Sequence, residues 1–116
     1  MPPNLQLGSR KVGDITLFDI RGRVTIGATN DLLGQRLREL LDGGAKKIVV
    51  NLTETTQVDS SAISTIVRAF VSVTRAGGEL KLLGASGRVR EVLMVTHLLG
   101  TIPAFDDERS ALASFA

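Results

Sequence analysis

The chain has 116 residues and a formal net charge of +2, with 43% apolar and 22% charged residues. This size and balance predict one soluble globular domain with a modest core, spanning residues 1–116. The sequence contains no cysteine, which excludes disulfides, thiol nucleophiles and thiolate metal sites, and its one histidine argues against a dedicated metal site.

Hydropathy and charge distribution favour a cytoplasmic protein. The N-terminal residues 1–11 lack the apolar core and cleavage pattern of a signal peptide. No apolar run approaches the roughly 20 residues that cross a bilayer, so we expect no membrane insertion. The basic residues are scattered and no Trp or Tyr is present, so we expect no direct nucleic-acid binding. No surplus apolar stripe demands a partner copy, which predicts a monomer or a weak dimer.

The first half of the chain predicts strands and one helix. The segment "ITLFDIRGRVTI" (15–26) indicates one or two strands around Gly22, and we expect an antiparallel hairpin there. Residues 30–44 place four leucines on one helical face, with Thr29 or Asn30 as the cap and Gly43-Gly44 as the end.

A central strand and an amphipathic helix follow. The run "KKIVVNL" (46–52) is typical of a strand covered on both faces, and "TETTQ" (53–57) indicates a turn. The next helix carries an apolar stripe, against which we expect Val49 to pack. The stripe consists of Ile63, Ile66, Val67, Phe70 and Val73.

The remaining segments continue the alternation of strand and helix. Residues 79–83 predict a strand, 84–100 a loop and a third helix, and 106–116 a short C-terminal helix. Such alternation implies right-handed crossovers and a largely parallel sheet. We therefore expect an α/β domain with a mixed sheet of about four to five strands.

The stretch "VDSSAI" (58–63) has the features of a helix start. Asp59 as N-cap can accept a hydrogen bond from the backbone N–H of Ser61 or Ala62. Val58 and Ile63 then occupy the two positions of a hydrophobic staple.

The two serines of this stretch fall in the first turn, where free N–H groups and the helix dipole tolerate a phosphate. Asp and Ser are common at helix starts, so these residues alone fit either a plain cap or a modified hydroxyl.

The order of elements resembles the STAS domain, the fold of bacterial anti-sigma-factor antagonists. The resemblance runs from Ile15 to the C-terminus and is most specific in "IVVNLTETTQVDSSAI". In that family an acid–Ser–Ser–Gly stretch begins the second helix, and a kinase that is also the anti-sigma factor phosphorylates its second hydroxyl. The resemblance therefore implies Ser61 as phosphoacceptor, Asp59 as the neighbouring acid and Ser60 as mainly structural.

Two positions depart from the family pattern. Ala62 stands where the family usually has glycine, which keeps the helix but adds a methyl group where a partner backbone can approach. Thr25 in "GRVT" (22–25) replaces an acid that the family often has at the end of the second strand. Asp59 is then the acid left at the site.

The loop "GASGR" (84–88) follows a strand and opens a helix, as phosphate-binding loops do. It lacks the Gly-Lys-Ser/Thr ending of the Walker motif and the spacing of a dinucleotide-binding fingerprint, so we interpret it as a turn and a helix cap. The resemblance places this loop beside the serine, which makes Ser86 and Thr25 candidates for a partner surface. His97 lacks an orienting acid, and we expect a surface residue there, with no catalytic role.

The resemblance implies a protein-interaction switch with no catalytic activity and no cofactor of its own. Unphosphorylated, it would bind an anti-sigma factor that is a serine kinase and brings ATP and Mg²⁺. Phosphate on Ser61 would release that partner, and a phosphatase can complete the cycle. Two alternatives remain: a STAS scaffold subunit of a stress-sensing complex or lipid-transport ATPase, or a small nucleotide-binding protein that uses residues 84–88.

Overall fold

The structure is a computed structural model that describes residues 5–95 and 101–115. These residues form six strands and four helices. The strands are β1 (Leu5–Val12), β2 (Ile15–Val24), β3 (Lys47–Asn51), β4 (Thr55–Val58), β5 (Glu79–Leu83) and β6 (Ala104–Phe105). The helices are α1 (Ala28–Asp42), α2 (Ser60–Arg75), α3 (Gly87–Val95) and α4 (Glu108–Ala113).

The strands form one mixed sheet in the order β1-β2-β3-β5-β6. β1 is antiparallel to β2, and the other pairs are parallel. β3 pairs with the first half of β2, and β4 pairs with the end of β2 after a register shift between Gly22 and Arg23. The predicted α/β fold with a mixed sheet is confirmed, with six strands instead of four or five.

The hairpin predicted within residues 15–26 was wrong, since β2 is one strand and its antiparallel partner is β1. The turn between them lies at Gly13, which has a positive φ of 63°. β1 escaped prediction because it is an edge strand. Only its first residues, Leu5 and Leu7, pack against the core, so it shows little apolar alternation.

The turn predicted at 53–57 was also partly wrong, because β4 begins at Thr55. Thr55 is buried, and its hydroxyl donates to the carbonyl of Ile20 at 2.8 Å. A polar side chain can be buried in a strand when its hydrogen bond is made, so the polarity of "TETTQ" was misleading.

Helices α1, α2 and α3 cover one face of the sheet, which we call the main face. Ile63, Ile66 and Val73 of the predicted stripe are buried there, and β3 contributes Ile48 and Val50. The expectation that Val49 packs against this stripe was wrong. Successive side chains of a strand point to opposite faces, so Val49 lies on the other side of the sheet.

The opposite side, which we call the second face, is covered by α4 alone among the described helices. Its small apolar cluster is built around four buried residues: Leu17, Val49, Leu83 and Ala111. Polar contacts surround this cluster. Arg10 bridges Asp19 at 2.9 Å and Glu108 at 2.7 Å, and the buried Lys81 donates to the Ser114 carbonyl at 2.9 Å.

The helix ends agree only in part with the sequence. α1 begins after Gly27 with no side-chain cap, so the caps predicted at Thr29 or Asn30 were wrong, whereas its end at Gly43 is confirmed. The third and C-terminal helices exist, but residues 96–100 of the predicted third helix, which include His97, lie outside the described residues. Within the described ranges, no helix is both long and apolar enough to traverse a bilayer.

Candidate functional site

The candidate site lies where β2 and β4 end side by side. Val24 pairs with Val58, so the chain leaves both strands at the same edge of the sheet. From there β2 turns into α1 through residues 25–27, and β4 passes through Asp59 into α2. The start of α2 and the β2–α1 turn are therefore neighbours.

Asp59 joins these two segments through its carboxylate. It is the N-cap of α2, as predicted, and its Oδ1 accepts hydrogen bonds from the Ala62 N–H at 3.1 Å and the Ser61 hydroxyl at 2.6 Å. Its Oδ2 accepts from the backbone N–H of Ile26 at 2.7 Å. One carboxylate thus caps the helix, orients a serine and holds the neighbouring turn.

The environment keeps Asp59 ionised at neutral pH. Partial desolvation raises the pKa of its carboxyl, but hydrogen bonds from Ser61, Ile26 and Ala62 together outweigh it, and the pKa lies below its ordinary value. The carboxylate is therefore a permanent acceptor for the Ser61 hydroxyl under physiological conditions.

The two serines differ in environment. Ser61 is half-buried and its hydroxyl points to Asp59, whereas Ser60 is exposed at the first position of α2. Because the Ser61 proton is committed to the carboxylate, the lone pairs of its oxygen remain available for attack on an electrophile. The Ser61 hydroxyl is therefore oriented by Asp59 and remains partly exposed to solvent.

The Ala62 side chain is fully buried in the main core, with 0% exposure. Its methyl group faces the inside of the domain, and its backbone N–H serves the Asp59 cap. The expectation that this methyl group lies where a partner backbone can approach was therefore wrong, and the side chain instead packs inside the domain.

Thr25 lies next to the site, in the β2–α1 turn. Its backbone N–H donates to the Thr29 hydroxyl oxygen at 3.0 Å, and its carbonyl accepts from that hydroxyl at 2.9 Å. Nearby, the Thr65 hydroxyl of α2 lies 2.8 Å from Asn30 Oδ1 of α1. These contacts join the turn to α1 and join α1 to α2.

Ser86 occupies a different part of the same side of the domain. It is exposed at the start of α3, its carbonyl accepts from Arg90 N–H at 3.3 Å, and α3 packs against β4. In the same loop Gly84 has a φ of 74°, and a Cβ there would lie 2.3 Å from the Thr53 hydroxyl oxygen. This glycine permits a close contact between two loops, which supports the interpretation of residues 84–88 as a turn.

Sequence reasoning missed Ile26. Its N–H binds the same carboxylate as Ser61, and its side chain is 80% exposed. The available signal was an isolated apolar residue directly before Gly27, where turns usually carry polar residues. The described residues contain no group of three or more His, Asp or Glu side chains that could hold a metal ion.

Comparison with known proteins identifies the fold and family. Residues 7–111 match the STAS domain family. A Thermotoga neapolitana protein provisionally named an anti-sigma factor antagonist is 32% identical over 74 residues, which are 64% of this chain and 66% of that protein. The aligned part is thus just under two thirds of that relative's length.

Solved structures share the fold at low identity. An anti-sigma factor antagonist from Mycobacterium paratuberculosis matches with a TM-score of 0.85 at 14% identity, covering 98% of this chain and 96% of that one. The phosphorylated form of the Bacillus cell fate determinant SpoIIAA matches with a TM-score of 0.73 at 18% identity, covering 97% and 99%. The match to the family spans most of the described sheet and helices, and confirms the resemblance: the chain belongs to the STAS domain family.

Proposed function

We propose that this chain is an anti-sigma-factor antagonist, and that phosphorylation of Ser61 switches its binding to an anti-sigma factor that is a serine kinase. The observation that carries the proposal is the 2.6 Å hydrogen bond from the Ser61 hydroxyl to Asp59 at the start of α2. The names of its relatives and the phosphorylated structural neighbour support the same reading.

The proposed modification is a phosphoryl transfer for which the kinase brings ATP and Mg²⁺. A bond forms between Ser61 Oγ and the γ-phosphorus, the bond from that phosphorus to the ADP oxygen breaks, and the hydroxyl proton passes to the Asp59 carboxylate, which then releases it to water. The chain contributes an oriented hydroxyl and a charged neighbour. In this proposal it has no catalytic activity or cofactor of its own.

Phosphate on Ser61 should change the fold little. It adds about −1.5 to −2 charges, and the dipole and free N–H groups of the first turn favour it by roughly 0.3 to 1 kcal/mol. The ionised Asp59 repels it, so the two effects partly cancel. The outer surface changes more, because a phosphate desolvated against an acidic or apolar kinase patch can cost several kcal/mol.

The first test asks which serine is modified. The chain, Ser60→Ala and Ser61→Ala are incubated with each anti-sigma-factor serine kinase of the source organism, ATP and Mg²⁺, and are mapped by mass spectrometry. We expect phosphate on Ser61 in the chain itself and in Ser60→Ala, and none in Ser61→Ala. Phosphate on Ser60 alone, or no phosphate with any of these kinases, would contradict the proposal.

The second test measures the switch itself by calorimetry with the kinase that modifies the chain. Ser61→Asp should fold normally and bind more than a hundredfold more weakly, since about 3 kcal/mol corresponds to that factor. Ser61→Ala should bind like the unmodified chain. Equal affinity of both variants would show that charge at this position does not control binding.

The proposal also sets the cellular context. The chain would act in the cytoplasm as a monomer or weak dimer, and a phosphatase would restore the unmodified serine. Light scattering of the purified chain checks the oligomeric state, and a stable high-order assembly would contradict this part in favour of a scaffold role. Micromolar affinity for ATP or GTP in the isolated chain would contradict the absence of a nucleotide site.

A further inference from the structure

Ile26 has the most exposed side chain among the large apolar residues that the structure describes. Its exposed fraction is 80%, compared with 77% for Val95, 57% for Met94, 44% for Val12 and 38% for Val71. An isolated exposed apolar residue is common and needs no explanation by itself. What distinguishes Ile26 is where it sits and how firmly it is held.

Ile26 and Ser61 share one carboxylate. Asp59 Oδ2 accepts from the Ile26 N–H at 2.7 Å, while Oδ1 accepts from the Ser61 hydroxyl at 2.6 Å. The exposed side chain of Ile26 therefore extends from a backbone that the same carboxylate holds. A partner surface that reaches Ser61 comes close to this backbone segment.

The backbone around Ile26 is fixed on both sides. Gly27 has a φ of 106° and forms the turn, and its carbonyl accepts from the Asp31 N–H at 2.9 Å. The Thr25 carbonyl accepts from the Asn30 N–H at 3.2 Å, which closes the same turn. A backbone held in this way has little freedom left to lose on binding, so the binding cost at this position is confined to ordering the isoleucine side chain.

The usual structural reason for an apolar residue at this position is missing. Ile26 directly precedes the N-cap of α1, where an apolar residue normally packs against the fourth helical residue as a hydrophobic staple. Here that residue is Asp31, which is exposed and charged. The corresponding pair at α2, Val58 and Ile63, is buried as the staple requires.

We propose that Ile26 is the apolar anchor for the partner, inserting into an apolar pocket of the anti-sigma-factor kinase next to the place where Ser61 is presented. This inference rests on the proposed function and deepens it. Binding energy in interfaces concentrates in a few well-packed residues surrounded by weaker contacts. Transfer of an isoleucine side chain from water into such a pocket changes affinity by about tenfold or more.

The test compares Ile26→Thr with a matched control, Val12→Thr. Both changes place a threonine at an exposed apolar position, and Val12 pairs with Ile15 at the opposite end of β2 from the site. Affinity for the kinase that phosphorylates Ser61 is measured by calorimetry, and thermal unfolding verifies that both variants fold. Ile26→Leu tests whether apolar volume restores binding.

We expect Ile26→Thr to weaken binding at least tenfold, with Val12→Thr and Ile26→Leu within about threefold of the unmodified chain. In the phosphorylation reaction Ile26→Thr should raise the KM for the chain and leave kcat nearly unchanged, because the anchor binds without touching the transferred phosphoryl group. If the unmodified chain binds the kinase and Ile26→Thr binds it equally well, the proposed role of Ile26 is wrong, but the proposed phosphorylation switch at Ser61 is not contradicted. If the unmodified chain binds none of these kinases, the proposed function fails and the anchor fails with it.

Discussion

The two faces of the sheet are stabilised in different ways. Three helices cover the main face, and none of the ion pairs found among residues 5–95 and 101–115 involves a residue of its apolar cluster. The second face has one six-residue helix, α4, whose small cluster is framed by Arg10, Asp19, Glu108 and Lys81. The comparison indicates that the main face holds the fold together, while polar contacts mainly position α4 on a sheet that is already formed.

The largest expected effect follows from a charge on the main face. Ile66 is 2% exposed, and Ile66→Asp would bury an unpaired carboxylate at a cost of several kcal/mol, comparable with the roughly 5–15 kcal/mol stability of a domain. We expect the loss of a cooperative thermal transition in calorimetry. A cooperative transition near the original Tm would contradict the assigned role of this helix face.

The same substitution on the second face should cost less. Ala111 of α4 is 0% exposed, but a six-residue helix can undock and leave the main face intact. We expect Ala111→Asp to lower the free energy of unfolding by about 1–3 kcal/mol in urea titration while unfolding stays two-state. If Ala111→Asp unfolds the whole domain, the two faces do not differ in their contribution to stability.

We expect a carboxyl group on the second face, that of Asp19, to contribute to the pH dependence of stability. Partial burial raises the pKa of Asp19, but hydrogen bonds from Arg10 and Asn51 outweigh it and lower the pKa below its ordinary value. A carboxyl with a lowered folded-state pKa stabilises the fold above its unfolded pKa of about 3.9, and this contribution is lost as pH falls through the folded value.

We therefore expect Asp19→Asn to lower stability by about 1–2 kcal/mol at pH 7 and to differ less from the original chain below about pH 4. Urea titrations between pH 7 and pH 2.5 measure the difference. A constant gap over this range would show that Asp19 does not contribute through its charge.

The smallest expected effect concerns Lys81. Its ammonium group donates to Ser114 and lies 4.2 Å from the Phe115 ring centroid. A buried charge is costly to desolvate, so an apolar residue of similar length is often equivalent. Lys81→Met should change the free energy of unfolding by less than about 1 kcal/mol. A larger loss would mean that the polar contacts stabilise the second face more than its apolar cluster does.

The sequence predicted the main face better than the second face, for a physical reason. Helical spacing of Ile63, Ile66 and Val73 encodes directly which side of α2 is buried, and the structure agrees. Strand β3 is apolar on both sides, so its pattern could not reveal that Val49 faces α4 while its neighbours face α2. The Arg10 bridge joins β1 to α4 across 98 residues, which no local pattern encodes.

At the candidate site, local chemistry was predictable and tertiary contacts were not. The cap by Asp59 follows from an acid preceding a helical pattern and was confirmed. Its second contact, with Ile26, requires β2 and β4 to pair with a register shift near Gly22. That shift depends on a strand, β4, whose polar sequence resembles a turn.

The strand order also determines how the sheet meets other sheets. Along the main path of the described strands the outer strands are β1 and β6, while β4 pairs with β2 off that path, and an unpaired edge is a template for intermolecular strand pairing and aggregation. β6 is two residues long, too short to recruit a strand, and β1 carries the adjacent cations Arg10 and Lys11 with Gly8 nearby. Arg10 is already paired with Asp19 and Glu108, so the charge that a second sheet approaching β1 would have to neutralise or displace is that of Lys11, and this charge disfavours edge-to-edge polymerisation.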